Sequence, residues 1–141
     1  TGNASPIASN WEEVDTDGYG YLGSDMTESS GVFTFPSTGY WLVQFQFTGR
    51  EDADGATYRG YMETTTNNST YSTASEARIS VQQLNSTQGH NASYCSLIFD
   101  VTSTSNCKIA FYIDVVNTSI ETLGNSGLSY TSATFIKLGD T

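Results

Sequence analysis

"GVFTFPSTGYWLVQFQFT", residues 31–48, decides how the rest of the chain is read. Two runs alternate apolar and polar residues at period two, the repeat of a half-buried β-strand. Pro36-Ser37-Thr38-Gly39 separates them, and Pro and Gly so close together mark a turn. In the second run Trp41, Val43, Phe45 and Phe47 fall on one face, and Leu42, Gln44 and Gln46 on the other. The first set is a core face. The second carries no charge at all, which is unusual for a strand face that meets only water.

The alternation recurs along the chain. A first strand is predicted from Ile7 to Val14, followed by the acidic, Gly-rich loop "DTDGYGYLGSDMTESS". After residues 31–48 the break "REDADG" leads into "ATYRGYMETTT", "NNSTYSTASE" and "ARISVQQL". The turn "NSTQGHN" precedes "SYCSLIFDV", then "CKIAFYIDVV", the loose "NTSIETLGNSG" and the closing "LSYTSATFIKL". Turn signals this regular predict about eight to ten short strands in one all-β domain, residues 1–141, built as an antiparallel two-sheet jelly-roll sandwich. Trp11-Glu12-Glu13-Val14 and Ser75 to Arg78 are the only helix-like starts, and neither is sustained.

Faces repeat as well. Lys108, Ala110, Tyr112 and Asp114 form the back of "CKIAFYIDV", while Ala133 and Phe135 oppose Thr134, Ile136 and Leu138 in the last strand. Strands that are apolar on one side and weakly polar on the other predict a sheet covered on both sides, and a second copy of the chain is one candidate for the cover.

Composition removes several classes of function. Among 141 residues, 15 acids stand against five bases (Arg50, Arg59, Arg78, Lys108 and Lys137), for a net charge of -10. Such a surface repels a phosphate backbone or an anionic membrane, so neither nucleic acid nor membrane insertion is expected. No apolar run reaches the roughly 18 residues of a spanning helix. There is no signal peptide and no initiator Met, which reads as a chain processed or excised from something longer. Six Asn-x-Ser/Thr sequons begin at Asn3, Asn67, Asn68, Asn85, Asn91 and Asn117, and in text so rich in Ser and Thr they mark turns before glycans.

Cys95 shares a face with Leu97, Phe99 and Val101, and Cys107 with Ile109, Phe111, Ile113 and Val115. A hairpin turning through Thr102 to Asn106 would set Cys95 opposite Ile113 and hold the sulfurs ~20 Å apart along the ladder. Two free, buried thiols are therefore expected.

Phe33, Thr34, Pro36, Gly39 and Trp41, with the alternation that follows, resemble the F-T-x-P-x-x-G-x-Y/W stretch of C1q/TNF-like jelly rolls. "SATFIKLGDT" resembles that family's closing strand. The resemblance implies a ten-stranded jelly roll assembled as a homotrimer, with Tyr112 and Phe135 at or near the three-fold axis and Leu42 and Gln44 beside them. The Lys-poor, Ser/Thr/Asn/Gly-rich text resembles the C1q-like modules of bacteriophage structural proteins. Those are fibre tips or capsid knobs, so the expected setting is a virion surface and the expected partners are other virion proteins or a host-surface glycan or protein. The competing expectation is a secreted, monomeric carbohydrate-binding module of a cellular organism, with calcium.

Catalysis finds little support. His90 sits in a turn-like string, and there is no Gly-x-Ser-x-Gly elbow and no Gly-x-x-x-x-Gly-Lys phosphate loop. One His and two core-facing Cys do not make a zinc site. Glu12, Asp15, Asp17, Asp52 and Asp54 supply carboxylates on paper but fall in loops, so no enzyme is expected. "DTDGYG" and "EDADG" look like truncated calcium loops, with Asp15, Asp17, Asp52 and Asp54 as the candidate ligands. Neither continues the oxygen-donor spacing, since Tyr19 holds the fifth position of the first, so no cofactor is required. Nine tyrosines among Ser, Asn and Gly suit an adaptable recognition surface, although half-buried strand tyrosines produce the same text.

Overall fold

The computed structural model describes residues 1–51, 55–83 and 87–141. Among these the chain forms β1 (Thr27–Ser29), β2 (Val32–Thr34), β3 (Gly39–Glu51), β4 (Gly55–Thr65), β5 (Ser72–Val81), β6 (Gly89–Val101), β7 (Lys108–Val115), β8 (Glu121–Thr122) and β9 (Ser132–Gly139), with no helix. One sheet has the order β1-β2-β7-β4-β5. In the other, β3 pairs with β6 on one side and with β8 and β9 on the other, and every pairing is antiparallel. After the β1–β2 hairpin the chain changes sheet at five of its seven connections, the habit of a jelly roll. The fold is the antiparallel two-sheet sandwich expected from the strand pattern.

β3 follows its sequence closely. Trp41, Val43, Phe45 and Phe47 are buried between the sheets, whereas Tyr40, Gln44 and Gln46 are exposed and Leu42 is half-buried. Phe111 on β7 answers them from the opposite sheet. Its ring lies 5.0 Å from Phe45, 5.4 Å from Phe33 and 5.5 Å from Trp11, in the tilted and edge-on arrangements that aromatic quadrupoles favour. Cys95 and Cys107 are free and buried in this core.

Turns follow local chemistry. Ser30 and Gly31, both at positive φ, make the two-residue hairpin between β1 and β2. After β4 the Asn67 carboxamide oxygen accepts the backbone N–H groups of Ser69 and Thr70 at 3.0 and 2.8 Å, turning the chain into β5. Ser75 to Arg78 lie within β5, where Ala77 and Ile79 pack against the core, so burial overrides the helix-like text.

Three expectations need correction. Residues 7–14 form no strand. The N-terminus instead bridges β7 at Ala4 and Ile113, the Ile7 N–H donates to the Phe111 carbonyl, and Trp11 inserts its ring edge-on against Phe33 at 5.1 Å. Nor do the two Cys strands form a hairpin. β6 pairs with β3 and β7 with β2 and β4, so the connection from residue 102 to 107 crosses between the sheets and the two apolar faces look at each other across the core. Finally, Gly89, His90 and Asn91 belong to β6, not to a turn, with His90 exposed opposite Arg50.

Candidate functional site

The sandwich has two outer faces, and they differ in chemistry. On the five-stranded sheet Arg59, Tyr61 and Glu63 of β4 alternate outward beside Tyr112 and Asp114 of β7 and Glu76 and Arg78 of β5. These groups satisfy one another. Glu76 accepts Arg59 Nε at 2.8 Å and Arg78 Nε at 3.1 Å, and the Arg59 guanidinium lies 3.8 Å from the centre of the Tyr61 ring. The other side of Tyr61 stacks on Tyr112, with ring centres 4.8 Å apart and planes 15° from parallel. Partial burial, with the Glu63 carboxylate next in effect, pushes the Tyr112 hydroxyl up to about 12.

The outer face of β6–β3–β9 is built in rows. Ile98, Leu42 and Ile136 form one row across the three strands. Ser96, Gln44 and Thr134 form the next, and Tyr94, Gln46 and Ser132 the third. The first row is apolar, and Tyr40 and Leu138 extend it at the end of β3. Ile98 is 63% exposed, Leu138 54% and Ile136 45%. Charged rows lie at both ends of this area. Asp100 pairs with Tyr40, while Arg50 lies opposite His90 and ion-pairs with Glu121. In a chain of net charge -10, three successive uncharged rows are a distinct surface.

The four residues expected near one axis are not together. Leu42 and Gln44 occupy the charge-free face, whereas Tyr112 stands on the opposite side of the sandwich. Phe135 turns inward, with its ring 5.5 Å from Phe33 and 5.9 Å from Phe111. Its strand neighbour is the buried Val43, so the pleat commits it to the core. Ile98 and Tyr94 were missed as members of this face, because their signal depends on pairing β6 with β3 and the local text suggests β7.

Of the calcium candidates, Asp15 and Asp17 are exposed in a tight turn closed by the Tyr19 N–H on the Thr16 carbonyl at 2.9 Å. Asp52 and Asp54 lie outside the described residues. Among the described residues no three His, Cys, Asp or Glu side chains converge as metal ligands.

No family model matches the chain, and a search among curated proteins gives no match. What fold and surface define is a class, an antiparallel jelly-roll sandwich with one charged, self-paired outer face and one charge-free outer face.

Proposed function

We propose that this chain is a non-enzymatic virion-surface module, of a bacteriophage, that assembles as a homotrimer and serves host-surface recognition or capsid decoration. The observation that carries the reading is the exposed, uncharged apolar row of Ile98, Leu42 and Ile136, extended by Tyr40 and Leu138. Contiguous apolar surface of this kind marks association, and closed assemblies of one chain are its commonest form. The resemblance of residues 33–41 and of the last strand to C1q/TNF-like domains supplies the trimer and the virion setting. The jelly-roll strand order is consistent with it. Assembly is assigned to the apolar row of the β6–β3–β9 face, and Tyr112 is removed from it, since Tyr112 is stacked on the other side. A monomeric carbohydrate module with its platform on the five-stranded face is disfavoured, because Tyr61 and Tyr112 stack on each other there and the Arg59 guanidinium covers the other side of Tyr61.

Molar mass in solution tests the proposal. A species near three times the 15.2 kDa chain is expected, and Ile98→Asp should return it to a monomer because copies of the charge would be buried together. Tyr112→Glu should leave the mass unchanged. A wild-type protein that stays at the chain mass over a wide concentration range would overturn the assembly.

A further inference from the structure

The polar rows beside the apolar one form an open groove of about 250 Å³, lined by Gln44, Gln46, Tyr94, Ser132 and Thr134. We propose that this groove binds a neutral oligosaccharide, which deepens the recognition half of the function proposed above and rests on that reading for its setting.

Charge comes first. No lining residue is ionisable near neutral pH, and the nearest charged rows, at Asp100 and at Arg50, are about four strand residues away, or ~13 Å along β3. An ionic ligand would shed hydration here and find no counter-charge. A neutral ligand carrying many hydroxyls loses nothing of that kind.

Hydrogen-bonding capacity comes next. Two primary amides and two hydroxyls offer both donors and acceptors within one groove, the mixture that recognises neighbouring sugar hydroxyls. The Gln46 amide is held in place, since its Nε2 donates to the Ser129 carbonyl at 2.8 Å and to the Tyr130 carbonyl at 3.3 Å, leaving its oxygen as the acceptor. A group fixed before binding loses little freedom on binding. The Gln44 amide makes no hydrogen bond to the described residues. Burying it against a flat apolar partner would leave it unsatisfied, which disfavours using these rows for self-assembly.

The aromatic wall is the third part. Tyr94 is 65% exposed and stacks on no other ring among the described residues, in contrast to Tyr61 and Tyr112. A free tyrosine face beside polar side chains accepts the C–H face of a pyranose while its hydroxyl stays wet.

The test is an NMR titration of the isotope-labelled chain with short neutral oligosaccharides of glucose, galactose, mannose and N-acetylglucosamine, with a sialylated trisaccharide as the charged arm. Saturable shifts are expected at the side-chain amides of Gln44 and Gln46 and around Tyr94 for at least one neutral sugar. Tyr94→Ala should weaken that binding by about tenfold or more, and Tyr94→Phe should keep most of it. Molar mass is read on the same samples. Ile98→Asp binding sugar as a monomer supports the groove even where assembly fails, and a wild-type trimer that binds none of the neutral sugars overturns the groove while leaving assembly intact. Tighter binding of the sialylated sugar, or shifts that map elsewhere or survive Tyr94→Ala, would equally overturn it.

Discussion

Gly60→Ala probes a close approach between the two sheets. Gly60 lies in β4 between Ala77 and Ile113, and a Cβ placed there would meet three carbons of the Phe47 ring at 2.3, 2.5 and 2.7 Å. Comfortable carbon contacts are about 3.5–4.0 Å, so the ring must retreat by an ångström or more. It has nowhere to go. Phe47 is fully buried, tilted against Phe45 at 5.7 Å and edge-on to Tyr58 at 5.3 Å. Tyr58 is itself tied down, donating to Thr122 Oγ1 at 3.0 Å. Overpacking of this kind costs about 1–3 kcal/mol, while the stiffer unfolded chain returns about 0.4–1 kcal/mol. The net expectation is a loss of about 1–2 kcal/mol, or ~3–8 °C in Tm for a domain of this size. Calorimetry and urea midpoints measure it, at one protein concentration because assembly makes Tm concentration-dependent. Gly124→Ala is the control, with nothing within 4 Å of its Cβ, and should stay within about 0.5 kcal/mol. Adding Phe47→Leu to Gly60→Ala should cost less than the sum of the two changes. A Gly60→Ala protein as stable as the parent, or strict additivity in the double variant, would refute this account of the core.

Two further expectations concern buried groups. Burial pushes the Tyr58 hydroxyl up to about 12, against a smaller lowering by its bond to Thr122, and pushes the Cys95 thiol up to about 11. Both folded values exceed the unfolded ones, 10 and 9, so the stability they contribute is complete below pH 9 and is lost as pH rises through 9 to 12. Urea midpoints should be flat through neutral pH and fall above pH 9, each group adding a slope of up to about 1.4 kcal/mol per pH unit, and Tyr58→Phe should lessen the fall above pH 10, where Tyr112, also pushed up to about 12, still contributes. A midpoint unchanged to pH 11 would contradict that burial. With Cys95 5% exposed and Cys107 fully buried, a thiol reagent should label neither in the native protein and both in guanidinium. Missing thiols in the denatured chain would reveal a disulfide this fold does not contain.

Much of the molecule was legible because strand geometry is local. Successive side chains of an extended backbone point to opposite sides, so Trp41, Val43, Phe45 and Phe47 had to share a face wherever β3 ended up. The same rule separated Phe135 from Ile136 and identified Cys95 and Cys107 as core residues. Partnership was less legible. "SYCSLIFDV" and "CKIAFYIDV" sit five residues apart and read as a hairpin, yet β6 and β7 belong to different sheets. In a hairpin Phe99 and Phe111 would line one side of one sheet. In the sandwich they close the core from both sides, and that burial decides between the two. Residues 7–14 failed for a related reason, because the place of Trp11 is set by the gap beside Phe33 and Phe111 and not by its own neighbours in sequence.

By itself, then, the sequence determined the class of fold, the alternation of each strand and the presence of an uncharged face behind β3. Tertiary structure decided which residues share that face. It joined Ile98 and Tyr94 to Leu42, Gln44 and Gln46, moved Tyr112 to the far side and turned Phe135 inward. The physical reason is range. Period two follows from the covalent geometry of adjacent residues, whereas the choice of neighbouring strand is fixed by burying apolar area between segments that are distant along the chain.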